Sequence, residues 1–158
     1  MILSNSPRAL PFCVARSYTT GEMPPRLLVV DDDEDLRKVL RGILEPFCEV
    51  LEAANGLDAL RLVREAKPRL MILDVSMPGM DGLTVLGDSL SIDSKLIVVM
   101  LTGDTDLHVA RRALEGGART YITKPFDPRA LGAEIKRLLD AAAGDPKKNG
   151  GRPWRVQG

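Results

Sequence analysis

At 158 residues, 44% hydrophobic and 28% charged, the chain has the size and balance of one globular domain with some excess at its ends. Lysine plus arginine equals aspartate plus glutamate at 22 each, so no net field points to nucleic acid or membrane, and no apolar run is long enough to span a bilayer. Cys13 and Cys48 match no metal spacing or disulfide framework, which makes a reducing cytoplasm the expected compartment, and the single His108 argues against a His-based metal centre or a Ser-His-Asp triad.

Residues 1–25 show no periodicity, with Pro7, Pro11, Pro24 and Pro25 scattered among Ser, Thr and Arg. Arg8 and Arg16 without an acid before Glu22 faintly suggest a transit peptide; composition favours a disordered extension, or a start upstream of a natural Met23. From Leu27 the pattern changes. Leu27-Leu28-Val29-Val30 reads as a fully apolar strand ending at Asp31-Asp32-Asp33-Glu34-Asp35. Leu36, Val39, Leu40, Ile43 and Leu44 then recur at helical spacing, with the acids at the helix N-terminus and Pro46 at its end.

Val50 to Ala53 is a weaker strand whose Glu49 and Glu52 suit a sheet edge. Asn55 caps a second helix carrying Leu60, Val63 and Ala66 or Lys67. Leu70-Met71-Ile72-Leu73 runs straight into Asp74, followed by a loop rich in Pro and Gly. A short third helix spans Gly82 to Leu90 with Leu83 and Leu86 inward. Leu96 to Leu101 is another buried strand, ending at Thr102-Gly103. The fourth helix carries Val109, Ala110, Ala113 and Leu114 and stops at Gly116-Gly117; His108 is expected to be solvated on it. Thr120 to Thr123 is the last strand, and after Lys124-Pro125 the residue Asp127 caps a final helix with Pro128 at its first position. Leu131, Ile135, Leu138 and Leu139 form that helix's apolar stripe. Residues 144–158 read as a flexible tail, with Lys147, Lys148, Arg152, Trp154 and Arg155 as a conceivable docking element.

Five strands alternating with five helices over residues 26–143 predict an α/β, doubly wound parallel sheet. The strands that are apolar throughout belong in the middle, giving the order 2-1-3-4-5 of a flavodoxin-like fold. In that order Asp31, Asp32, Asp74, Thr102 and Lys124 all arrive at the carboxyl edge, where open α/β sheets place their ligands. Asp74 is there as nucleophile, metal ligand or both. Carboxylates about 4 Å apart repel by roughly 1 kcal/mol in water and by more in a protein, so the cluster calls for a cation. Hard oxygen donors point to Mg²⁺, or Mn²⁺, and Lys124 and Thr102 suit phosphoryl oxygens. A calcium loop starting at Asp31 fails, because its sixth position is Leu36 and its twelfth Gly42.

Val29-Val30-Asp31-Asp32, Leu73-Asp74, Met77-Pro78-Gly79-Met80-Asp81-Gly82, Leu101-Thr102-Gly103 and Tyr121-Ile122-Thr123-Lys124-Pro125-Phe126 together resemble the receiver domain of two-component response regulators, over about Arg26 to Ala142. The resemblance implies that Asp74 is phosphorylated by a sensor histidine kinase or a histidine phosphotransfer protein. It implies that Asp32, Asp74 and the Ser76 carbonyl ligate Mg²⁺, with Asp31 acting through water. It implies that Lys124, after a cis bond to Pro125, contacts a phosphoryl oxygen. Thr102 and then Tyr121 would turn inward, altering the face made by helix four, strand five and helix five, which a downstream protein reads. Ser76 and Asp104 would flank the path of a hydrolytic water, with Asp104 influencing the lifetime of the phosphoryl group.

On this reading the protein is a signalling switch and not an enzyme, either a stand-alone receiver or relay or a receiver parted from its output domain, in contact with neither nucleic acid nor membrane. A phosphatase of the haloacid dehalogenase kind needs D-x-D-x-[TV] after strand one, and Asp31-x-Asp33 is followed by Asp35. An FMN binder is disfavoured by the acidic loop, which repels a flavin phosphate. A silent receiver is disfavoured because no site residue is missing.

Overall fold

The computed structural model describes residues 23–103 and 107–143. The expectations for residues 1–22, for Asp104 and for the tail lie outside the described residues. Ten elements follow in strict alternation: β1 (Arg26–Val30), α1 (Glu34–Leu44), β2 (Glu49–Ala53), α2 (Gly56–Ala66), β3 (Leu70–Asp74), α3 (Gly82–Ile92), β4 (Ile97–Thr102), α4 (Leu107–Glu115), β5 (Thr120–Thr123) and α5 (Pro128–Ala143). The strands form one parallel sheet in the order β2-β1-β3-β4-β5, as the apolar runs require. Strands β3 and β4 are buried along their whole length, whereas β2 and β5 are mostly half-buried, as edge strands are.

Alternation along the central strands divides the core in two. Leu28, Val30, Met71, Leu73, Val98 and Met100 join α2 and α3 on one face. Leu27, Val29, Leu70, Ile72, Val99 and Leu101 meet Leu40 and Leu44 of α1 and Leu131, Ile135, Leu138 and Leu139 of α5 on the other. The predicted stripe of α5 is thus buried in full. Its cap is also as predicted, with Asp127 Oδ1 accepting from the N–H groups of Arg129 (2.8 Å) and Ala130 (3.3 Å). Asn55 caps α2 by accepting from the Asp58 N–H at 2.8 Å.

Some predicted core residues lie outside. Val39 is 50% exposed and Leu114 44% exposed. Val39 precedes the buried Leu40 and Leu114 follows the buried Ala113, so each points about 100° round its helix from that neighbour. Leu83 is half-buried, and Val85 and Ser89 accompany Leu86 on the inner side of α3. Ala59 joins Leu60 and Val63 in α2, while Lys67 is exposed in the left-handed conformation that ends the helix. Among the described residues no helix is long and apolar enough to cross a membrane.

Candidate functional site

Register builds the site. Val30 pairs with Leu73, so the residues that follow, Asp31 and Asp74, emerge side by side from adjacent strands. Asp74 pairs with Leu101 and Thr102 with Thr123, which brings Lys124 to the same rim. Asp31, Asp32, Asp33, Asp74, Ser76, Gly103 and Lys124 line an open cleft of about 600 Å³.

The carboxylates are close. One oxygen each from Asp31, Asp32 and Asp74 lie within 4.8 Å of one another, with Asp31 and Asp74 buried and Asp32 exposed. Lys124 Nζ stands 3.3 Å from Asp31 Oδ2 and 3.6 Å from Asp74 Oδ2. Asp31 Oδ1 accepts from the Asp33 N–H (2.9 Å) and Asp74 Oδ1 from the Ser76 N–H (3.1 Å). Burial pushes the Asp74 carboxyl above the usual carboxylate range, and the Asp31 and Asp32 charges add to the rise. The Ser76 N–H and Lys124 work the other way without cancelling it. A buried carboxylate that resists ionisation beside two others is a group in want of positive charge. The donors fit the implied metal: several hard oxygens and, among the described residues, no His or Cys at the cleft suit Mg²⁺ with retained waters.

Not every predicted residue lines the cleft. Thr102 is 2% exposed, and Gly103 takes the place at the wall; the Thr102 carbonyl accepts from the Lys124 N–H at 2.7 Å and so ties β4 to the lysine. Tyr121 is half-buried against the core cluster that contains Met100 and Ala113, two strand positions short of Thr123. The Lys124–Pro125 bond is cis, as expected. Sequence reading placed Asp33 only among the acids at the N-terminus of the first helix. It does cap α1, accepting from Asp35 (3.0 Å) and Leu36 (3.3 Å), and it lines the cleft as well. Gly82 is also part of the design: a Cβ there would lie 2.6 Å from the Asp74 carbonyl oxygen, so only glycine lets α3 start this close to the end of β3.

Cys48 has no part in the site. Its thiol donates to the Leu44 carbonyl at 3.2 Å, and burial pushes its pKa up to about 12.

The family model of the response regulator receiver domain matches residues 27–136. The chain belongs to that family. Similarity extends to the DNA-binding response regulator MtrA of Mycobacterium tuberculosis, 42% identical over 119 residues that make up 74% of this chain and 51% of that protein. The chain therefore spans about half the length of the curated relatives it matches. Among solved structures, a CheY-like receiver domain protein of Methanospirillum hungatei superposes with a TM-score of 0.73 at 31% identity, covering 76% of this chain and 97% of that one. The CheX–CheY–BeF3–Mg²⁺ complex of Borrelia burgdorferi superposes at 0.69 and 28%, covering 74% and 90%. The fold is accordingly the CheY-type receiver fold, and the chain is the receiver domain of a two-component response regulator.

Proposed function

We propose that Asp74 is the phosphoryl acceptor and that Asp31, Asp32, Asp74 and Ser76 hold Mg²⁺ while Lys124 engages the incoming phosphoryl group. The observation that carries this reading is the convergence of the Asp31, Asp32 and Asp74 carboxylates and the Lys124 ammonium on a single cleft, with the Asp74 carboxyl held above the usual carboxylate range chiefly by burial. Mg²⁺, when bound, neutralises the carboxylates and draws charge from the phosphoryl oxygens. Asp74 supplies the attacking oxygen, whose new bond to phosphorus replaces the bond to a donor imidazole nitrogen. Lys124, 3.6 Å from Asp74 Oδ2, is placed to follow the phosphoryl oxygens as that bond forms. Asp31 keeps the lysine at the cleft in the meantime. That the Borrelia burgdorferi complex of the same fold contains BeF3 and Mg²⁺ supports a metal-binding reading here.

The donor is a sensor histidine kinase or a histidine phosphotransfer protein. Thr102, one position past Asp74's partner Leu101, and Tyr121 carry the change toward α4, β5 and α5, where a downstream protein docks. Leu107 and Leu114, 72% and 44% exposed on α4, favour a protein partner at that face. The expected setting is the cytoplasm, with the receiver body itself making no contact with nucleic acid or membrane.

The test is chemical. Incubation with acetyl phosphate and Mg²⁺ is expected to give one phosphoryl adduct by mass spectrometry, absent from Asp74→Asn and from wild type after chelation of the metal. An adduct of unchanged rate in Asp74→Asn would refute the assignment.

A further inference from the structure

Arg37 lies on α1, outside the cleft lining, yet it reaches the acidic loop from behind. Its Nη1 donates to the Asp31 backbone carbonyl at 2.7 Å. Its Nε stands 3.4 Å from Glu52 Oε1 on β2, and Glu52 is also held by Arg41 Nη2 through its other oxygen. The Arg37 side chain is only 15% exposed and that of Glu52 26%, so the pair is shielded from much of the solvent that weakens surface bridges. The carbonyl that Arg37 grips belongs to the peptide joining Asp31 to Asp32. Peptide groups are planar, so holding that oxygen holds the plane from which both side chains depart.

We propose that Arg37, braced by Glu52, is a positioning residue for divalent-metal binding: it fixes the Asp31–Asp32 peptide so that the two carboxylates arrive preset for the cation. This rests on the metal reading above. The planar guanidinium suits the task because it serves two acceptors in fixed directions at once, which an ammonium on a flexible stem does not. Glu52 thereby gains a purpose beyond guarding a sheet edge. It tethers the arginine that tethers the loop.

Charge and geometry predict opposite outcomes, which makes the inference testable. On charge alone, deleting a cation near a cation site tightens metal binding. If Arg37 positions the loop, deleting it loosens binding, by about tenfold on the scale of residues that orient metal ligands. Titration of the full chain with MgCl2, followed by the amide NMR signals of Asp32 and Asp33, measures the affinity without reference to phosphorylation. Arg37→Ala and Arg37→Lys are both expected to raise the Kd about tenfold, the lysine variant keeping the charge but losing the fork. Glu52→Gln is expected to raise it about threefold, while Lys38→Ala, on the exposed side of α1, stays at the wild-type value.

Thermal melts of the metal-free proteins check folding, and Arg37→Lys carries the test should Arg37→Ala melt below the assay temperature. Wild-type affinity or tighter in Arg37→Ala, or in Arg37→Lys where that variant carries the test, overturns the inference while leaving the metal site standing. No response of the wild type to Mg²⁺ overturns both.

Discussion

Both edge strands, β2 and β5, are mostly half-buried, and both send apolar side chains into the two core clusters: Val50 and Leu51 from one, Ile122 and Tyr121 from the other. They differ in what else holds them. Strand β2 carries Glu49, bonded to Arg26 at 3.1 Å, and Glu52, shared by Arg37 and Arg41. Strand β5 runs instead into Lys124, whose partners Asp31 and Asp74 are the groups that any bound cation would also take. The charges of one edge are satisfied within the scaffold, and those of the other within the cleft. An edge whose ion pairs share no partner with a bound cation can keep the Asp31–Asp32 loop still. An edge whose cation belongs to the site answers to what binds there, and that is a physical basis for the proposed exit of the signal by way of β5 and α4.

The largest break in this comparison comes from the lysine. Lys124→Ala is expected to slow adduct formation with acetyl phosphate by about 100-fold, the range seen when a group facing developing charge is lost, while Lys95→Ala, at an exposed site remote from the cleft, leaves it unchanged. Rates from timed mass spectra decide it, and a loss below threefold would show that Lys124 is part of the scaffold after all.

A smaller effect separates the edges by stability. Glu52→Ala leaves Arg37 and Arg41 without their shared carboxylate and is expected to cost about 1–2 kcal/mol in urea denaturation, against less than about 0.5 kcal/mol for Tyr121→Phe. Equal losses would erase the distinction.

The smallest is a matter of pH. The Asp74 carboxyl is held above its ordinary value of 3.8, chiefly by burial, so the folded state binds its proton more tightly than the unfolded chain does. The stability this group contributes is therefore fully present below that ordinary value and is lost as pH rises through the folded one. At neutral pH the ionised carboxylate weakens the metal-free fold, so Asp74→Asn is expected to be the more stable protein there, by roughly 1 kcal/mol. The advantage should shrink toward acid pH, and Mg²⁺ at about ten times its Kd should stabilise wild type by about 1.4 kcal/mol and Asp74→Asn by less. Melting curves with and without Mg²⁺ measure both, and a destabilised Asp74→Asn at neutral pH would contradict the account.

Much of this is legible in the sequence. Strand identities and sheet order followed from apolar runs such as Leu70 to Leu73, because a strand covered on both faces has no place for a polar side chain. The carboxyl-edge cluster followed in turn, since parallel strands all deliver their last residues to one rim. Helix caps at Asn55 and Asp127 were legible because they are contacts within four residues of chain. What sequence determined, then, is whatever rests on local periodicity, local capping and the direction of parallel strands.

Tertiary structure decided the rest. Val39 and Leu114 keep helical spacing yet lie outside, because the width of a buried stripe is set by the surface that packs on it. Thr102 ends β4 at the right rim but is buried, and Gly103 lines the cleft in its stead, a matter that strand order does not specify. Lys124 meets Asp31 across 93 residues, and Arg37 takes the Asp31 carbonyl from a helix face that periodicity marks only as polar. Hydrogen bonds to a backbone oxygen leave no trace in side-chain pattern, so the grip on the acidic loop became visible only once the chain was folded.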